Sequence, residues 1–427
     1  MVITNSTPPL ASRFFTPALD LIPGCANRRC CTEIPDSDWL MIGVHRALMP
    51  QVKSSGRGLL HSLASLAPEL CPKKSAFFEA LKSTRRLSLL EELNSKVCQS
   101  ARAVLPDVLA CFPSLDGIDV YAADGHFHKH AVHDAADDKG SPQPVGHIYT
   151  RNLRNGLLSH LIAMDQIERD KEHDMRALKR TPIEILRQGA AKGRKVLMVY
   201  DRAVVDFRQW YQWKQGSGIY IITRTKTNMK LIKSGDLRFD RADPINAGVL
   251  ADEYVGPSSC GVMLRRIQFY DAVMDRNLDF ITNIMDEKIP PGVLAFLYRM
   301  RWNIEKTFDE LKNKLGENKA WASSTTAKSM QAQFICLCEN LLTLLEHKLE
   351  REDGVTNGPE IKRREKRLAQ VVARLKKENH TLPHGLILVK QMTQHTVKLI
   401  RWVAAQIWLN NPWKEACGVL AGIYAVF

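Results

Sequence analysis

The sequence predicts a mixed α/β protein, on three observations. Two apolar runs of strand length each stop at an aspartate, Ile118 to Asp124 and Lys195 to Asp201. Upstream segments carry helical periodicity, as in Leu59 to Leu66 and Ser88 to Leu93. The region from about 216 to 276 is rich in β-type runs such as Gly218 to Arg224, Lys230 to Lys233 and Gly261 to Tyr270, punctuated by Gly, Pro and Asp.

Taken in order, residues 1–35 are polar, Pro-containing and non-periodic, and are expected to be weakly ordered. Residues 36–112 read as helices with Lys73, Lys74, Lys82, Arg85 and Arg86 interleaved. Three strands are expected between 118 and about 163, then a charged helix from Met164 to Gln188. The run Lys195 to Tyr200 is nearly all apolar, as expected of a strand covered on both faces. Apolar helices should fill the chain to about 348, ahead of a polar break from Arg351 to Pro359. Beyond it, Lys362 to Lys377 places Leu368, Val371, Val372 and Leu375 at helical spacing among eight basic residues. Such a helix suits DNA, acidic lipid, a dimer contact or plain solvation.

The 427 residues allow two to four domains. A net charge of +14 points to a polyanionic partner, with nucleic acid ahead of a membrane surface. No apolar run approaches the roughly 18 residues needed to span a bilayer, and the N-terminus lacks a secretory pattern, so a cytoplasmic location is expected. Cys25, Cys30 and Cys31 have no paired downstream C-x2-C, and the remaining cysteines, as at Cys336 and Cys338, read as buried thiols. His126, His128 and His130 alternate after Asp124 and would share a strand face. Imidazole suits zinc better than magnesium, so their expected use is at most phosphate contact or support behind other ligands.

The segment Phe296 to Lys312 carries Tyr298, Arg301, Glu305 and Lys312 at offsets of 0, 3, 7 and 14. On a continuous helix these side chains fall within an arc of about 60° along roughly 21 Å. A stripe of one acid, two cations and a phenol suits a polyanion beside a metal ion better than a dry core.

That pattern, Y-x2-R-x3-E-x6-K, resembles the signature of bacterial insertion-sequence transposases of the DDE type, the insertion sequence four family. Thr282-Asn283 and Tyr298-Arg-Met-Arg-Trp-Asn-Ile-Glu305 match the family's surrounding residues, whereas Arg202 to Phe207 departs from the Gly-Phe often found after the second acid. The resemblance implies that Glu305 is the third member of an acidic triad whose first and second members fit Asp124 and Asp201. Taken singly, an aspartate after a strand is more often a turn or a cap. Asp119 would point to the opposite face from Asp124, and Asp206 lacks a preceding strand.

The resemblance further implies a ribonuclease-H-like catalytic core over 113–215 and 277–348, a β-rich insertion over 216–276, and a helical N-terminal domain over 36–112 that grips the ends of the element. Sequence alone also allows residues 36–112 to be simply a helical cap on the core. Residues 349–427 would form a basic helical C-terminal region. Asp124, Asp201 and Glu305 would be catalytic as ligands of two Mg2+ ions, with Mn2+ able to substitute. Tyr298, Arg301 and Lys312 would bind DNA. The implied activity is cleavage at transposon ends and strand transfer into target DNA, by a homodimer on double-stranded DNA. Alternatives of other classes are a structure-selective nuclease of the same fold and a non-enzymatic DNA-binding derivative.

Overall fold

The computed structural model describes residues 9–49, 55–131, 145–164, 166–167, 170–257, 261–382 and 395–426. Its centre is a nine-stranded mixed sheet. In chain order the strands are β1 (Ile118–His128), β2 (Val145–Asn152), β3 (Leu158–Ala163), β6 (Lys195–Val199), β7 (Ile219–Arg224), β8 (Leu231–Asp236), β9 (Val249–Pro257), β10 (Leu264–Asp271) and β11 (Arg276–Thr282). Between β3 and β6 lies a separate two-stranded ladder, β4 (Gln166–Ile167) with β5 (Asp170–Lys171).

Across the main sheet the order is β3-β2-β1-β6-β7-β11-β10-β9-β8. The pairs β1·β6 and β6·β7 are parallel and the other pairs antiparallel. The strands between 219 and 271 therefore extend the same sheet, joined to it where β11 pairs with β7. The Thr282-Asn283 pair secures that junction. Thr282 Oγ1 donates to Ile221 O at 2.7 Å, while Asn283 Oδ1 accepts from Ile221 N at 2.8 Å and its Nδ2 donates to Trp210 O at 3.0 Å.

Strand alternation divides the core in two. Val120, Ala122, Leu197 and Val199 join one apolar cluster, and Tyr121, Ala123, Val196 and Met198 the other. The first face is covered by α9 (Pro291–Met300), α10 (Trp302–Asn313) and the 28-residue α11 (Thr325–Glu352).

Packed on α11 are α1 (Pro9–Leu19), α2 (Asp36–Leu48) and α5 (Thr84–Ala101); α3 (Gly56–Leu66) and α4 (Lys74–Ala80) precede α5. At Gly43 a side chain has no room, since an added Cβ would stand 2.1 Å from the Phe334 ring. The weakly ordered tail expected over residues 1–35 is corrected for its described part. Leu10, Phe14, Phe15 and Ala18 of α1 are buried, at 1% exposure or less, in the main core; residues 1–8 lie outside the described residues. Short polar stretches hid an apolar face only one helix long.

The charged helix expected over 164–188 is also corrected. It breaks into β4, β5, α6 (Asp174–Arg180) and α7 (Ile183–Leu186). Pro182 separates the two helices, and Gln188 and Gly189 leave α7 at positive φ. Next comes α8 (Phe207–Ser217), then the sheet extension.

At the C-terminal end lie α12 (Gly358–Lys377), α13 (Val397–Gln406) and α14 (Trp413–Ala425). His395, just before α13, is buried among acids on the inner side of α10 and α11. Its Nδ1 lies 2.7 Å from Glu346 Oε2 and its Nε2 3.7 Å from Glu339 Oε1, and its backbone N–H donates to Glu310 Oε2 at 3.2 Å. Burial opposes charging the ring, but Glu339, Glu346 and Glu310 outweigh it and raise its pKa to about 10. Among the described residues no helix is long and apolar enough to cross a membrane.

Candidate active site

Parallel pairing of β1 with β6 sets Ala122 against Val199. Two residues further along each chain, that register brings Asp124 level with Asp201, on the same face of the sheet. Asp124 is not at the end of its strand, as its Asp-Gly context suggests, because β2 keeps supplying partners as far as His128 and Asp124 itself pairs with Tyr149. Asp201 lies just beyond β6, where its Oδ1 accepts from Ala203 N at 2.7 Å and its backbone oxygen accepts from Thr223 Oγ1 at 2.5 Å.

Glu305 arrives from the facing helix. The single helix expected from Phe296 to Lys312 is broken at Arg301, which ends α9 and caps α10. The turn tightens there: Arg301 N bonds Tyr298 O and Ile304 N bonds Arg301 O, at 3.1 and 3.0 Å. No Gly or Pro signals this break. The stripe is not uniform in burial: Tyr298 and Arg301 are buried, each 6% exposed, and Lys312 is exposed.

Arg301 joins two of the acids. Its Nη1 donates to Asp124 Oδ2 at 3.2 Å and its Nη2 to Glu305 Oε1 at 2.5 Å. The guanidinium also stands 5.7 Å from the centre of the Tyr298 ring, which packs on Phe280 with centroids 4.9 Å apart. Burial pushes the Asp124 carboxyl up to about 7, and Asp201 and Asp174 push the same way, against the pull of Arg301. Burial and the Asp201 charge likewise raise Asp174.

Asp174 is the residue that sequence reading missed. It opens α6, and a Cβ added at Gly125 would stand 3.1 Å from its Oδ2, which places it against the strand beside Asp124. Nothing in its local sequence sets it apart from a helix-start aspartate. The competing acids have other employment. Asp119 is held by the Arg194 guanidinium at 2.9 and 3.2 Å, and Asp206 caps α8 and pairs with Lys179 at 2.5 Å.

His126 and His128 are buried, at 2% and 3% exposure, and His130 is half-buried. His126 stacks on Phe308 of α10 with centroids 4.7 Å apart, and His128 on His147, whose Nδ1 is 3.0 Å from His160 Nε2.

Beside Tyr298 and Arg301 opens a cavity of about 330 Å3. Arg224, Arg276, Arg299 and Lys306 line it together with Phe280 and Trp302, and Asp271 is the one acid in its wall.

Asp124, Asp201 and Glu305 are hard oxygen donors of the kind that suits divalent cations. Crowding of Asp124 by Asp201 and Asp174 makes a site in need of positive charge, which the Arg301 guanidinium supplies here. Among the described residues no three His, Cys, Asp or Glu side chains are gathered closely enough to hold a metal ion. Glu305 bonds Arg301 instead.

Residues 115–341 match the transposase DDE domain family, a span that takes in Asp124, Asp201, Glu305 and every strand of the main sheet. The chain belongs to the DDE transposase family. Domains of this family use divalent metals, which accords with the oxygen donors of this transposase. No curated protein matches the chain. Among solved structures the transposase is similar to a piggyBac transposase synaptic complex with hairpin DNA, at 9% identity and a TM-score of 0.35, over 98% of this chain and 83% of that one. A likeness that distant bears on neither the site nor the chemistry.

Proposed function

We propose that this DDE transposase cuts DNA at the ends of an insertion sequence and joins those ends to target DNA, by cut-and-paste transposition. The observation that supports the reading is Asp124 on β1 and Asp201 just beyond the parallel neighbour β6, with Glu305 tied to Asp124 through Arg301. The Y-x2-R-x3-E-x6-K pattern supports membership of the insertion sequence four family, with residues 113–215 and 277–348 as a ribonuclease-H-like core and 216–276 as its β-rich insertion.

In this reading Asp124, Asp201 and Glu305 hold two Mg2+ ions, with Mn2+ able to replace them. When bound, such ions stabilise the charge that develops on the entering and leaving oxygens of the phosphodiester. The protein's own cations would grip and orient the strand. Lys312 presents a point charge at the exposed end of α10, while Arg301, whose planar fork bridges Asp124 and Glu305 in this structure, would turn that fork to a phosphate once those carboxylates bind cations, with the Tyr298 hydroxyl beside it. Water is the nucleophile for nicking, and the freed 3′-hydroxyl is the nucleophile for joining. The partner is double-stranded DNA, engaged by a homodimer in the cytoplasm.

The test is cleavage of a duplex carrying the element's terminal repeat, with and without Mg2+. Asp124→Asn, Asp201→Asn and Glu305→Gln should each abolish cleavage while leaving the melting temperature and DNA binding near those of the parent. Robust cleavage by the Asp201→Asn protein sinks the assignment, and Asp174 becomes the acid to examine.

A further inference from the structure

The outer face of α12 concentrates positive charge. Its 20 residues hold eight Lys and Arg against two Glu. At about 100° per residue, Lys362, Arg363, Lys366, Arg367 and Lys377 fall within an arc of about 140°, opposite Leu368, Val371, Val372 and Leu375. Burial follows that division: Leu375 is buried and the other three apolar residues half-buried, while the five cations are exposed. Glu360 pairs with Arg363 and Arg364 at 3.5 and 3.2 Å. Among the described residues no acid pairs with Lys362, Lys366, Arg367 or Lys377.

Like charges four residues apart, Lys362 with Lys366 and Arg363 with Arg367, weaken an isolated helix by roughly 0.2–0.5 kcal/mol per pair. A helix that needed only to be solvated would gain from alternating signs. Lys362 to Lys377 spans about 22 Å, the axial rise of about six phosphates on one strand of a duplex.

Position strengthens the case. Arg374 Nη2 donates to Val273 O at 2.7 Å and to Ala272 O at 3.3 Å, pinning the C-terminal end of α12 to the turn between β10 and β11. Met274 of that turn and Arg276 at the start of β11 line the cavity beside Tyr298 and Arg301. Nearer its start, the charge of Arg364 is felt by Lys306, which lines the same cavity. The C-terminal end of α12 is thus fixed to a turn that borders the cavity.

We propose that the outer face of α12 binds the phosphate backbone of duplex DNA running on from the reacting strand, without reading its sequence. The inference rests on the DNA-cleaving reading above. It adds a partner surface that the signature residues do not include.

The test compares the parent protein with a Lys362→Ala, Lys366→Ala, Arg367→Ala, Lys377→Ala variant in anisotropy titrations of a random-sequence duplex over a range of salt. The slope of log affinity against log salt should flatten by about 0.9 for each phosphate that is no longer neutralised, so by about 3 to 4 in all. A matching variant that keeps the charges, with Arg at the three lysines and Lys at 367, should retain the parent slope. An unchanged slope in the alanine variant overturns the proposal. So does an unchanged slope joined to loss of self-association in sedimentation, which would assign the face to a second copy of the chain. Parent protein that binds duplex but cuts no DNA with Mg2+ would instead defeat the DNA-cleaving reading, whatever the slopes show.

Discussion

Arg301 donates to Asp124, 177 positions earlier in the chain, at 3.2 Å. The same guanidinium holds Glu305 four residues away, so one side chain fastens the signature helix to the central strand. Arg301→Ala should therefore lower the melting temperature and abolish Mg2+-dependent cleavage. Arg301→Lys should recover little of either, since an ammonium lacks the planar fork that meets two carboxylates at once. Cleavage by Arg301→Lys at the parent rate would show that the fork is dispensable.

Lys312 separates binding from scaffold. It is exposed at the end of α10, whereas Arg301 is buried. Lys312→Ala should leave the melting temperature unchanged and flatten the salt dependence of DNA affinity by about 0.9 in logarithmic slope, with no change in sequence preference. An unchanged slope would return Lys312 to an ordinary surface role.

The His395 clasp predicts a pH dependence. Its folded pKa, raised to about 10 by Glu339, Glu346 and Glu310 against the effect of burial, lies above the unfolded value near 6.5. The stabilisation is therefore complete below pH 6.5 and is lost as pH rises toward 10. His395→Ala removes one cation from these carboxylates, leaving Arg151 at 3.5 Å from Glu339 and Lys314 at 3.9 Å from Glu310, and should cost at most roughly 3–5 kcal/mol at pH 6. Chemical denaturation at several pH values should show the gap between variant and parent closing as pH rises. A gap that stays constant would mean the ring is held by packing alone.

Removal of residues 1–112 tests whether the helices of 36–112 form an independent domain that grips the ends of the element. Trp39 of α2 packs on Phe334 with centroids 5.7 Å apart, and Asn94 of α5 donates to Gln333 at 3.1 Å. Arg85 and Arg86, basic residues that suggest DNA contact, are both paired with Asp36. The truncated protein should lose its cooperative melting transition, because α11 would be stripped of apolar cover. A soluble truncation with a sharp transition would favour a separable domain.

Much of this arrangement was legible in the sequence. Asp124 and Asp201 could be found because a strand buried on both faces leaves an unbroken apolar run, and a charge against that run stands out. The extension through β8, β9 and β10 could be recognised as β structure by its turns. Its continuity with the main sheet could not, since pairing β11 with β7 joins residues some 60 positions apart. Asp174 was hidden for a similar reason: it meets Asp124 only through the fold. The break at Arg301 left no trace because its backbone stays helical, with φ −53° and ψ −33°, and only the hydrogen-bond spacing changes.

That break leaves Arg301 in the turn between two helices with its guanidinium engaged on both carboxylates. A substitution there alters the field at Asp124 and at Glu305 together, so the two acids cannot be tuned apart at this position.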